Sequence, residues 1–462
     1  MGTGHVMRCL SLAQAWPGKA IFAMAESTPG LNQRLQAAGF EIAGDDVIHL
    51  ARQHNATWVV ADGYHFDADF QRAIKKAGLR LLLVDDYGHA EHYTADYILN
   101  QNLYASDRFY ADREPYTRLL LGTRYVMLRQ QFNDWRNWQR EAPPVAHKVL
   151  VTLGGADPDN LTGKIIEALR GLDVEAKIVV GGSNPHLEQL RSQISDFSPQ
   201  FSLIVNTSNM PELMSWADVA VSAGGTTSYE LAFMGLSNLV IVLADNQRAV
   251  ADGLDAGGIA QKTTTDRVAE DLHALLNDAG RRSEMSRRGR QLVDGEGVNR
   301  VVACLRAESL NLQPVREEDC RLIWEWANDP EARAVSLSSE PIPWETHVKW
   351  FAAHRHGPGN LFYLATNSHN IPVGQVRYDI SDTEAVVSVN LAKEARGRGY
   401  GAALIVAGDQ RCFADSPVNL IRAYIKPSNT ASARAFERAG YMDDGTSVER
   451  GQTVRLFVLE RS

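Results

Sequence analysis

Near its amino terminus the chain reads Gly2-Thr3-Gly4-His5-Val6-Met7-Arg8, and an apolar helical pattern follows at once (Cys9, Leu10, Leu12, Ala13, Trp16). Glycines let main-chain amides approach a ligand at the head of a helix, where the dipole favours negative charge. A histidine in that place either contacts a phosphate or acts as a base near neutral pH; the competing reading is a histidine that merely caps the helix. Two further turns share the design, Leu153-Gly154-Gly155-Ala156-Asp157-Pro158 and Ser222-Ala223-Gly224-Gly225-Thr226-Thr227-Ser228-Tyr229-Glu230. In the second, amides and two threonine hydroxyls suit a diphosphate, and Glu230 is spaced to accept hydrogen bonds from ribose hydroxyls. A last turn, Arg396-Gly397-Arg398-Gly399-Tyr400-Gly401, follows the alternating stretch Val387-Ser388-Val389-Asn390-Leu391 and opens an apolar helical pattern over 402–413.

These turns need strands to aim them. From residue 45 to about 300, short apolar runs alternate with amphipathic stretches of helical length, which predicts parallel sheets covered by helices on both faces. Strands are expected over 58–61, 79–84, 97–99, 148–152, 176–180, 202–205, 218–222 and 238–242. The glycine turns then fall at strand ends, the rim where open α/β sheets bind ligands. Asp62, Tyr64, Asn100, Gln101 and Asn102 lie on the same rim and are candidates to hold a sugar ring. A polar stretch over 134–147 containing Pro143-Pro144 divides this region, and an Arg-rich helix is expected over 279–292. Beyond residue 308 several consecutive strands replace the alternation, so a separate α+β domain is expected. The expected domains are therefore residues 1–145, 146–308 and 309–462.

Over 462 residues, 47 Lys and Arg face 56 Asp and Glu, a net charge of −9, so the chain offers no basic field for nucleic acid. The four cysteines lie far apart without C-x-x-C spacing and read as thiols of a reducing cytosol. The longest apolar runs are strand-sized, and no signal-peptide pattern opens the chain, so a cytoplasmic protein without a membrane span is expected. Asp85, Asp86, His89 and His92 have no recognised ligand spacing, and no metal is expected there.

The three amino-terminal motifs together resemble the UDP-sugar hydrolases of pseudaminic acid biosynthesis, a family similar in fold to the lipid II-forming GlcNAc transferases of the GT-B class. The likeness runs from residue 2 to about 300. It implies a GT-B-like pair of Rossmann-type domains and a metal-independent attack of water on the anomeric carbon with inversion, His5 being the base. By the same resemblance the UDP-sugar is held by Gly4, Arg8, Gly154, Gly155, Asp157, Met210, Gly224, Gly225, Thr226, Thr227, Glu230, Asn246 and Gln247. Glu230 takes the ribose, the Asn206–Met210 loop reads uracil through its backbone, and Asn246-Gln247 approach the sugar or phosphates. One departure stands out: the family has a hydrophobic strand before the G-x-G-H turn, and here only Met1 precedes Gly2. The first half is expected to lack that strand, and an extended chain to be more soluble and more active.

The carboxy-terminal region resembles the GNAT N-acetyltransferases, whose motif [QR]-x-x-G-x-[GA] begins here at Arg396. The resemblance implies acetyl-CoA held by Val389, Leu391, Arg396, Gly397, Arg398, Gly399, Gly401 and Asn429. It also implies that Ala431–Tyr441 is the family's following helix, closing at Gly440-Tyr441. Many members carry a tyrosine as general acid four residues before that glycine, whereas this chain has Phe436, so Tyr424, Tyr441 or a water is left for the role. Taken together, the two resemblances imply a bifunctional enzyme that acetylates a UDP-linked amino sugar and then removes UDP from the product. A GT-B glycosyltransferase joined to an acetyltransferase is the alternative, and a non-catalytic UDP-sugar sensor is a third reading.

Overall fold

Runs such as Leu81–Val84 and Val219–Val221 are apolar at every position, which an isolated strand cannot tolerate in water; they lie in central parallel strands buried on both faces. The computed structural model describes the chain apart from residues 1, 2, 25, 26, 155, 156, 183, 196–198, 358 and 462. It divides into two units, Met1–Val298 and Asn299–Ser462.

The first unit opens with the helix Thr3–Ala15. Its first four-stranded sheet is wholly parallel, in the order Val59–Asp62, Leu81–Val84, Tyr97–Asn100, Arg118–Leu121. The short strands Ile21–Ala23 and Glu41–Ala43 form a parallel sheet of their own. Downstream lies a six-stranded parallel sheet ordered Gln261–Thr263, Ser237–Ile241, Val219–Ala223, Lys148–Thr152, Glu175–Val180, Phe201–Val205. Period-2 alternation splits it between two cores. Val149, Val151, Val219 and Val221 pack with Ile165, Leu169 and Leu275 on one face, while Leu150, Ala220 and Val240 pack with Met214, Leu231 and Leu254 on the other. The chain winds outward from Lys148–Thr152 through Glu175–Val180 to Phe201–Val205, then returns to the other side at Val219–Ala223. The switch point therefore lies where Gly154 and Gly224 leave their strands, the crevice in which such sheets bind ligands.

The second unit is built on a seven-stranded sheet ordered Asn311–Pro314, Asn360–Thr366, Pro372–Ser381, Glu384–Leu391, Leu420–Ile425, Gln452–Glu460, Met442–Glu449. Its one parallel pair, Glu384–Leu391 with Leu420–Ile425, is in register only from Glu384↔Leu420 to Val386↔Arg422. Beyond that point the strands part, and the later half of Glu384–Leu391, with Val389 and Leu391, has no partner on that side. The helix Gly297–Ala307 spans the division at 298/299. The sequence reading had kept that stretch with the preceding half.

Candidate functional site

The helix Thr3–Ala15 presents His5 and Arg8 on one face, as a spacing of three requires. Both meet Asp62, the last residue of its strand. Asp62 Oδ1 lies 2.6 Å from His5 Nδ1, and Arg8 donates to both carboxylate oxygens, from Nε at 2.5 Å and from Nη2 at 2.7 Å. Arg8 Nη2 also lies 3.1 Å from Nδ1, and a guanidinium only donates; the shorter, 2.6 Å contact is with a carboxylate, which only accepts, and it favours the proton on Nδ1 with Nε2 as the basic nitrogen. Arg8 also donates to Asp86 at 2.9 and 3.1 Å. Burial would lower the Arg8 pKa, but Asp62 and Asp86 outweigh it and hold the guanidinium firmly charged. Asp86 shows the converse balance: burial opposes ionisation, and Arg8 brings its carboxyl below the usual range.

Tyr64 donates to Asp86 at 3.0 Å, and its exposed ring stands edge-on to His5 at 5.1 Å. Asp62 and the Asn100–Asn102 run are not placed as sugar-facing side chains. Asp62 is buried beneath His5, Asn100 donates to the Asp86 carbonyl and to the Tyr110 hydroxyl, Gln101 accepts from Met127 N, and Asn102 donates to Asp86. They brace the polar cluster from below. Asp85 is fully buried, accepting from the amides of Tyr87 and Gly88 and from the Tyr93 hydroxyl. Burial raises its pKa, but the bonds from His89, Tyr93 and these amides bring it down to about 2. Among the described residues no group of three His, Cys, Asp or Glu side chains could hold a metal ion.

At the switch point, Gly154 adopts φ +96°, while Gly155 and Ala156 lie outside the described residues. Asp157 is buried and spends its carboxylate on Leu161 N and Thr162 N, both at 2.8 Å, capping the helix Leu161–Leu169. Met210 likewise faces the core. Gly224 must be glycine, since a Cβ there would lie 2.9 Å from the Gln247 carbonyl. Gly225 and Thr226 are more open, and Thr226 begins the helix Thr227–Phe233 without a side-chain cap bond. Asn246 is exposed, whereas Gln247 accepts from Leu243 N. Glu230 is buried and already engaged: Arg129 grips it in a two-pronged ion pair, Nε to Oε1 at 2.6 Å and Nη2 to Oε2 at 2.7 Å. Arg129 was missed in the sequence because nothing in Leu128-Arg129-Gln130 signals a partner 101 residues away. Tyr229 also went unassigned, although its hydroxyl accepts from Leu103 N across the two halves of this unit.

In the second unit Gly397 and Gly399 take φ +71° and +76°, and the exposed turn delivers the chain into the 16-residue helix Tyr400–Asp415. Gly399 is its N-cap and offers no side chain, so first-turn amides are left for an anion. Gly401 packs close to Ala435 and Leu391. Arg396 turns away from the amides to Asp329 and Glu331. Asn429 caps the helix Thr430–Ala439 by accepting from Ser432 N. Phe436 stacks edge-on against Tyr441 at 4.8 Å, and the Tyr441 hydroxyl donates to Asp409 at 2.8 Å inside the core. That hydroxyl is therefore tied to a buried carboxyl.

Residues 309–442 match the acetyltransferase (GNAT) domain, and residues 149–297 match the glycosyltransferase family 28 C-terminal domain. The spore coat polysaccharide biosynthesis protein SpsG of Bacillus subtilis is 28% identical over 250 residues, 52% of this chain and 73% of that protein. A Helicobacter pylori protein named pseudaminic acid cytidylyltransferase and UDP-2,4-diacetamido-2,4,6-trideoxy-beta-L-altropyranose hydrolase is 23% identical over 279 residues, 59% of this chain and 48% of that one. In the second unit, L-2,4-diaminobutyric acid acetyltransferase of Streptomyces anulatus is 31% identical over 135 residues, 28% of this chain and 71% of that enzyme. No described helix is long and apolar enough to cross a membrane. The chain thus joins a GT-B-like pair of Rossmann-type domains, the second a glycosyltransferase family 28 C-terminal domain, to an α+β domain by which it belongs to the GNAT acetyltransferase family.

Proposed function

We propose that the chain performs two consecutive steps on one UDP-linked amino sugar. The second unit transfers the acetyl group of acetyl-CoA to the 4-amino group of a UDP-4-amino-4,6-dideoxy sugar. The first unit then hydrolyses the resulting UDP-2,4-diacetamido-2,4,6-trideoxy sugar to free sugar and UDP. The observation that carries the hydrolytic half is the Nδ1-anchored His5. With Asp62 holding that nitrogen protonated, Nε2 can take a proton from water as the water oxygen bonds to the anomeric carbon and the bond to the diphosphate oxygen breaks. Amides of the Gly224–Thr227 turn would stabilise the departing UDP, whose diphosphate is already a good leaving group. In the acetyl transfer, the amine attacks the thioester carbonyl, the C–S bond breaks, the thiolate takes a proton from Tyr424 or water, and the proton lost by the nitrogen passes to solvent and restores that donor. The pantetheine arm would pair with the free side of Val389–Leu391, as an added strand pairs with a sheet edge.

The test is one incubation of the full chain with acetyl-CoA and the UDP-4-amino sugar, followed by NMR. N-acetylation followed by loss of the anomeric phosphate is the expected course. The family 28 match gives weight to a second reading, a glycosyltransferase that needs a sugar acceptor. Release of free sugar in water without any acceptor decides against it.

A further inference from the structure

Ten residues before the matched acetyltransferase domain, the second unit already begins, on the helix Gly297–Ala307. Val301, Cys304, Leu305 and Ala307 are buried, and Arg300, also buried, donates from Nε to the Glu437 carbonyl at the end of the helix Thr430–Ala439. The helix is therefore part of this unit's packing. Near its end, Arg306 reaches the glycine turn. Its Nη1 donates to the Arg398 carbonyl at 2.6 Å, and its guanidinium carbon lies 4.7 Å from the centre of the Tyr400 ring. A Cβ on Gly399 would sit 2.3 Å from Nη1, so the guanidinium fills the space where an N-cap side chain would stand.

That placement is electrostatically odd. The head of a 16-residue helix carries partial positive charge, and the residue normally found there accepts hydrogen bonds or is negative. Here a half-buried cation takes the place. Burial lowers its pKa, and Tyr400 is its only partner acting the other way. Among the described residues no carboxylate pairs with it; the acceptors it meets, the Arg398 carbonyl and the Tyr400 hydroxyl, are neutral. A cation facing a positive helix end without a counter-ion is unfavourable until an anion joins both.

We propose that Arg306, contributed by the helix ahead of the acetyltransferase domain, is a coenzyme A-binding residue that meets the diphosphate together with the amides of Gly399–Gly401. The inference rests on the reading of this turn as the coenzyme A site. It does not depend on which amine is acetylated. The carbonyl bond and the ring contact hold the guanidinium against the turn before the ligand arrives, so little side-chain freedom remains to be lost on binding.

The experiment is calorimetric titration of the full chain with coenzyme A, and with pantetheine, which lacks the diphosphate. Arg306→Gln keeps a donor for the Arg398 carbonyl but removes the charge, while Arg306→Lys keeps the charge. Expected are a Kd for coenzyme A weakened about tenfold or more in R306Q, a smaller loss in R306K, and pantetheine binding unchanged in both. The salt dependence of coenzyme A affinity should also become shallower in R306Q. R306Q binding coenzyme A within twofold of the parent overturns the assignment. So does equal weakening in R306Q and R306K at the same melting temperature, or parallel weakening for pantetheine, because each makes Arg306 only a pin for the turn. If R306Q does not fold, R306K and the salt slope of the parent chain decide by the same criteria. Absence of coenzyme A binding by the parent chain would defeat the reading of the turn itself, and failure of the sugar assay with intact coenzyme A binding would leave Arg306 in place.

Discussion

Two buried acidic clusters in this chain are balanced in opposite ways. In the first unit Asp62 and Asp86 share one guanidinium, Arg8, which donates charged hydrogen bonds to both. In the second, Asp409 lies in mid-helix, and among the described residues no cation pairs with it. Two phenol hydroxyls, from Tyr378 at 2.7 Å and Tyr441 at 2.8 Å, donate to its Oδ1, while Oδ2 is buried without a partner. Hydroxyls offset part of the cost of burying a carboxylate; they do not neutralise it. Burial accordingly pushes the Asp409 pKa up to about 7, the two tyrosines lowering it only partly. The partner's charge, more than the depth of burial, decides which cluster can orient a base and which behaves as a titratable part of the core.

The largest expected effect breaks the first cluster at its shared acid. Asp62→Asn puts an amide against His5 Nδ1 and removes the acceptor that fixes the ring's tautomer. Turnover of UDP-sugar hydrolysis should fall by roughly 10²–10⁴-fold with little change in KM; near-normal turnover would remove Asp62 from the mechanism. Next in size is Arg8→Met, which leaves two carboxylates facing each other beneath the helix Thr3–Ala15. Loss of one partner from a buried ion pair costs roughly 3–5 kcal/mol, to be read from denaturant unfolding of the first unit. A loss below about 1 kcal/mol would mean that the carboxylates are solvated and need no guanidinium.

Much of this frame was legible before any coordinates. Runs such as Leu81–Val84 and Val219–Val221 have no polar position to spare, so only a doubly covered strand can use them, and the Arg-rich helix Ala279–Leu292 falls where its pattern put it. The edge strand Met442–Glu449 was not legible, because most of its side chains face water and Met-Asp-Asp-Gly reads as a loop. In the candidate site, the sequence pointed to His5, Arg8 and Asp62 but not to their division of labour. A strand-end aspartate looks the same whether it faces a sugar or supports a histidine; only the 2.6 Å contact tells them apart. Asp157 shows the same ambiguity: its motif suggested ligand contact, and its carboxylate serves the helix that follows. Long-range pairs such as Arg129 with Glu230 leave no local trace at all.

Asp409 supplies the pH-dependent arm of the comparison. Its folded pKa, about 7, lies above the ordinary carboxyl value near 4, so between those limits the folded chain holds a proton that the unfolded chain has lost. Stability of the second unit should therefore fall as pH rises from about 4 to about 7 and level off above that. The amplitude is roughly 4 kcal/mol, about three pKa units at 1.4 kcal/mol each. Asp409→Asn keeps an oxygen for both tyrosine hydroxyls and removes the titration. Hydrogen exchange at amides of the helix Tyr400–Asp415, followed at pH 5 and pH 8, should show the slope in the parent chain and not in the variant. Equal slopes would mean that Asp409 is ionised and that the two phenols suffice to hold it.

Glu230 stands between the extremes, one carboxylate matched to one guanidinium, and it gives the smallest and most pointed test. If the ribose is to bind Glu230, its hydroxyls must either share the carboxylate with Arg129 or displace it, because the two prongs already occupy both oxygens. Sharing costs nothing, since a carboxylate accepts about four hydrogen bonds. Displacement would strand a guanidinium beside the arriving diphosphate, where it gains a better partner. In either case Arg129 works with the nucleotide and not against it, so Arg129→Met should weaken UDP binding even though it frees the acid. Glu230→Gln and Arg129→Met are each expected to raise the Kd for UDP about tenfold, and the double variant less than the hundredfold that independent effects would give. Tighter binding in Arg129→Met would instead mean that the pair blocks the site, and the first unit would then need to open before it could take a nucleotide at all.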